Sequence, residues 1–310
     1  MDIDKIDLNI FINRYVDFVD KISNKYHYES NIKHLLYLIV PAFIIKYDLK
    51  NESQVLKCFE EIPITVTGSE NKNITASFSR LLVKTKDGYE TRKFILLNEY
   101  KTADLINMLD NIIHEYNHAI NSINYEISYD DEYVKVRTGL SYILYDKKSL
   151  KPLKKSNEVA LEEIINTAQT SDIINIINSF NKKKIDNIEF TNVLYSLKND
   201  IGKDIFVSEA YGYDSIITKE LIKNKTFTPT ISNLRYKGLI QDIPYLFDNV
   251  IGKDGEYKRL NKLLTEIHEL EYKYAAATIF KNRFLNEIRT KSKMVLNIIN
   301  DYDNKCIFKS

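Results

Sequence analysis

The chain has 310 residues, enough for a well-buried core and for two compact units. Its 44 basic and 43 acidic side chains almost cancel, so composition offers no strong field for nucleic acid or an anionic membrane surface, and neither is expected as a partner. Two cysteines, Cys58 and Cys306, are too few for a secreted disulfide scaffold and read as free thiols in a reducing cytoplasm.

Residues 5–60 read as helical. "IDLNIFINRYVDFVDKI" repeats apolar residues at spacings of three and four, and Asn51 is a plausible cap for "NESQVLKCFEEI". The opening segment is acidic and amphipathic and lacks the basic and apolar regions of a signal peptide, so a cytoplasmic location is expected. The run Leu35–Ile45 spans 11 residues and contains Pro41, well short of the roughly 20 that cross a bilayer. It reads as a buried helix or strand.

From Pro63 the period changes to two. Segments 74–85 and 89–100 are strand-like, and Asp87-Gly88 between them is a hairpin signal. A helix is predicted from about Thr102 to Asn121, with Leu105, Leu109, Ile112, Ile113, Tyr116 and Ile120 in one stripe. A strand pair follows over 132–146, turning at Thr138-Gly139. A helix over 158–180 begins after Ser156-Asn157, and 190–310 is mostly helical in pattern, with surface loops near 181–184 and 221–230. The predicted class is α+β: mostly helical, with a small antiparallel sheet beside the 102–121 helix. The predicted division is 1–185, holding the N-terminal helices, sheet and catalytic core, and 186–310, a helical C-terminal domain.

The chemistry concentrates in "NIIHEYNHAINS", residues 111–122, which holds two of the five histidines. On a helix, residues i and i+4 share a face, so His114 and His118 can present two imidazoles to one zinc ion. Glu115, beside the first, can accept a proton from zinc-bound water, whose pKa falls to roughly 7. The order His-Glu-x-x-His recurs in metallopeptidases for this reason. A third ligand is needed. The metzincin pattern requires Gly at 121 and His at 124, where this chain has Asn121 and Asn124. The Glu-Gly-Cys context of peptide deformylases is missing around Cys58, and Asp130 has no supporting signature. A glutamate on a second helix remains.

The segment "VALEEIINTAQTSD" resembles the second-helix motif of gluzincin metallopeptidases, and "VRTGLSY" resembles the strand that precedes it. The resemblance covers about residues 90–172. Aligning "LEEIINT" on it places Glu163 at the third-ligand position, with Ile164 where the family often has Gly. The resemblance implies a Zn²⁺ site, a mixed α+β core flanked by helices, and hydrolysis of a peptide or protein substrate by Glu115-assisted attack of zinc-bound water. Glu158 and Glu162 are the alternatives for the third ligand. Glu163 is rotated about 100° from Glu162, so the two cannot both face the metal. Ala160 and Thr167 flank Glu163 with small side chains, whereas Glu162, between Glu158 and Asn166, reads as more solvated.

Asn166 and Thr167 are candidates to hydrogen-bond a ligating imidazole. Tyr142, Tyr145, Tyr211, Tyr213 and His268 are candidate oxyanion donors. A catalytically silent gluzincin-like fold serving as a protein-interaction module is the second reading; intact His114, Glu115 and His118 favour the enzyme.

Overall fold

The computed structural model describes residues 7–68, 76–99, 105–123, 126–156, 158–180, 217, 220–221 and 224–307. The fold is α+β and mostly helical. It divides into two compact units, Met1–Ile120 with Gln169–Ser208, and Asn121–Ala168 with Glu209–Ser310. The expected boundary at 185/186 and the expected loop at 181–184 lie outside the described residues.

The first unit opens with α1 (Leu8–Tyr26), α2 (Ser30–Tyr47) and α3 (Glu52–Glu61). Asp7 caps α1 by accepting the N–H groups of Asn9 and Ile10, two of the donors a helix start leaves unpaired. His27 closes it in the left-handed region at φ 54°. The apolar run Leu35–Ile45 is helical and buried throughout, with Pro41 inside α2. Among the described residues, no helix is long and apolar enough to cross a membrane.

Strands β1 (Ile64–Thr67), β2 (Ala76–Lys84) and β3 (Tyr89–Asn98) form a sheet of order β1-β3-β2, followed by α4 (Leu105–Ile120). The β2–β3 hairpin turns at Asp87-Gly88 as its sequence signals, with Gly88 at φ 138°. The β1–β3 pair is parallel, so this sheet is mixed where a purely antiparallel one was expected. A parallel pair needs a crossover between partners distant in sequence, which local periodicity does not report.

The second unit holds β4 (Ile127–Tyr129), β5 (Tyr133–Thr138), β6 (Ser141–Asp146) and β7 (Pro152–Lys155) as an antiparallel sheet in that order. The expected pair is its centre, turning beside Gly139 at φ 54°, a conformation that favours glycine. After it come α5 (Val159–Phe180), whose residues from Gln169 onward belong to the first unit, then α6 (Phe227–Tyr236), α7 (Ile243–Ile251), α8 (Glu256–Ala276) and α9 (Lys281–Ile307). Leu161 and Ile165 of α5 join Phe227, Phe247, Leu260 and Val295 in the core of this unit. Phe247 stacks on Tyr302 at 5.0 Å between ring centroids, with Phe227 edge-on to both.

Candidate metal centre

Helix α4 is buried from Met108 to Ile120 on every side, so its polar residues must find partners. Tyr116 anchors it. Its ring lies 4.1 Å from that of Phe59, and its hydroxyl donates to the Ile62 carbonyl at 2.9 Å. Complete burial holds that phenol well above the ordinary tyrosine range. Asn117 ties three helices of the first unit together. Its Oδ1 accepts from the Tyr47 hydroxyl of α2 at 3.0 Å, and its Nδ2 donates to Thr170 Oγ1 of α5 at 3.1 Å. Lys46 of α2 adds an ion pair to Asp172 of α5.

On the helix so fixed, His114 and His118 are both buried, and their Nε2 atoms approach to 3.2 Å. Two nitrogens bound tetrahedrally to zinc at 2.0–2.1 Å stand about 3.3–3.4 Å apart, so this spacing suits one shared ion. Glu163 precedes Thr170 by seven residues, two turns earlier on nearly the same face of α5. Each of His114, His118 and Glu163 offers one ligand atom, and these atoms all lie within 4.8 Å of one another. Among the described residues this is the one such group of histidine, cysteine and carboxylate side chains. Two imidazoles and one carboxylate this close together could hold a metal ion, and such a set suits zinc among others.

Glu115 is buried beside the first histidine and turns its carboxylate toward β2, where Oε2 accepts the Phe78 backbone N–H at 2.5 Å. The two alternatives to Glu163 are placed differently. Glu158 stands before the first turn of α5 and is absent from the group. Glu162, expected to be solvated, is 1% exposed. Its carboxylate accepts the Leu140 N–H at 2.7 Å and forms an ion pair with Arg235 of α6, itself 0% exposed. The physical reason is a cation 73 residues away in sequence, which local pattern does not reveal.

Asn166, expected near an imidazole, presents Oδ1 to the same Arg235 at 2.8 Å. Thr167 donates its hydroxyl to the Glu163 carbonyl at 2.9 Å, within its own helix. Of the candidate oxyanion donors, Tyr142 lies under Lys135 and Arg137 on the second unit's sheet, Tyr145 is on β6, and His268 packs edge-on to Tyr272 in α8. Tyr211 and Tyr213 lie outside the described residues. Arg235, Asn117 and Thr170 carried no signal in the sequence, since each acquires its role only through a partner on another element. Comparison with protein-family models, with curated proteins and with solved structures returns no match.

Proposed function

We propose that the protein is a zinc-dependent metallopeptidase of gluzincin type, with His114, His118 and Glu163 as zinc ligands and Glu115 as general base. One observation carries the reading: a helix pair brings two imidazoles and a carboxylate within 4.8 Å, with a second buried carboxylate next in sequence to the first imidazole. Bound zinc would polarise the scissile carbonyl and lower the pKa of a coordinated water to roughly 7. Glu115 takes the proton of the attacking water and returns it to the departing amine, so one carboxylate serves as base and then as acid. The Phe78 amide supports that role by holding Oε2 and orienting the carboxylate. Both histidines are buried, and the lower local dielectric strengthens each charge interaction they make. The substrate is a peptide or protein. The two free cysteines and the balanced charge fit a cytoplasmic enzyme with no nucleic-acid partner.

The test is Glu115→Gln. The variant keeps shape and metal and loses the proton acceptor, so hydrolysis of a peptide library falls by at least ~10² at unchanged zinc content. Cleavage at the wild-type rate by this variant rejects the mechanism.

A further inference from the structure

We infer that Arg235 is a positioning residue for Glu163, acting through Glu162 and Asn166; the inference rests on the zinc reading above. All four residues belong to the second unit. Arg235 is fully buried and bonds two residues one turn apart on α5 with the same guanidinium nitrogen, Nη2: Glu162 Oε1 and, at 2.8 Å, Asn166 Oδ1. The other Glu162 oxygen is held by the Leu140 amide at 2.7 Å. Gly139, at φ 54°, lets the β5–β6 turn come so near that a Cβ there would overlap both the Glu162 carboxylate and Arg235 Nε. The opening turns of α5 are thus gripped at two positions on one face.

A buried ion pair is a poor device for stability alone, because desolvating both charges offsets most of their attraction. Orientation is a better account of this one. Glu163 follows Glu162 directly and projects about 100° further around the helix. Its carboxylate stands roughly 6–7 Å from the helix axis, so a roll of about 10° would carry it about 1 Å. Metal–ligand distances tolerate about ±0.2 Å. A grip that prevents axial roll therefore sets the position of the carboxylate that zinc requires. Lysine would keep the charge but lose the planar, pre-organised guanidinium that fixes Nη2 between the two acceptors.

The experiment is a double-mutant cycle on the full chain, reading Zn²⁺ affinity by competition with a chromophoric chelator. Arg235→Lys should weaken zinc binding by about 10–100-fold and shift the visible absorption of the Co²⁺-substituted protein. In a Glu163→Gln background the same substitution should change affinity by less than about 2-fold, since the residue it positions is gone. An equal loss in both backgrounds, or wild-type affinity in Arg235→Lys alone, overturns the positioning role and leaves the zinc reading intact. Wild-type affinity in Glu163→Gln overturns both. Should Arg235→Lys fail to fold, Glu162→Gln, which keeps shape and the acceptor for Leu140, completes the same cycle.

Discussion

Gly139 and Gly252 make a matched pair for testing the buried grip on α5. Both have positive φ, 54° and 72°, so alanine at either incurs a left-handed backbone cost of about 1–2 kcal/mol. They differ in what surrounds them. A Cβ at Gly252 meets nothing within 4 Å, whereas one at Gly139 falls under the 3.0 Å that real Cβ atoms keep from Glu162 and Arg235. To make room, the Glu162 carboxylate or the turn must move on the order of 1 Å, which breaks alignment with Arg235 and the Leu140 amide. Disrupting a buried ion pair so that one charge loses its partner costs about 3–5 kcal/mol. Gly139→Ala should therefore destabilise the zinc-free protein by about 3 kcal/mol more than Gly252→Ala does. Urea unfolding followed by far-ultraviolet circular dichroism gives the two values, compared at equal m. Values within ~0.5 kcal/mol of each other would refute the reasoning, because backbone strain alone would then explain both.

Two further outcomes are expected. Zinc at a hundredfold excess over its dissociation constant should stabilise the wild type by about 2.7 kcal/mol, and calorimetry of His118→Ala should show no such gain. Tyr28 is pushed up to about 12 by burial. Between pH 10 and about 12 the folded chain holds a proton that the unfolded chain releases, so its stability is complete below pH 10 and falls as pH rises through that window. Tyr28→Phe should reduce that alkaline slope by one group's share, with Tyr116 and other buried phenols keeping the rest; an unchanged slope in pH-dependent unfolding would refute the Tyr28 contribution.

How much of this was legible in the sequence depends on whether a residue's surroundings are local. The α4 helix, the Asp87-Gly88 hairpin and the Thr138-Gly139 turn are short-range patterns, and each appears where its residues signal it. His114 and His118 share a face for the same reason, since four residues on a helix is a local distance. The parallel β1–β3 pair escaped because its partners are joined through a hairpin and read alike in either direction. Strands β4 and β7 escaped because three or four residues, mostly exposed, carry no clear alternation. Glu162 was misjudged for the deepest reason. Polar neighbours on a helix suggest solvent, and only the arrival of Arg235 from α6 makes burial of that carboxylate affordable.

The bond from the Phe78 amide to Glu115 also bears on the choice of a silent variant. Among the described residues β2 is an outer strand of its sheet, and an outer strand presents a row of amides ready to pair with another chain. The carboxylate of α4 covers one rung of that row. Shortening Glu115 to alanine would leave the Phe78 amide without this acceptor beside a buried helix, so a silent variant of that kind confounds lost chemistry with lost stability. Glutamine retains a carbonyl oxygen for the amide, which makes it the substitution that isolates the loss of the proton acceptor while keeping the strand edge covered.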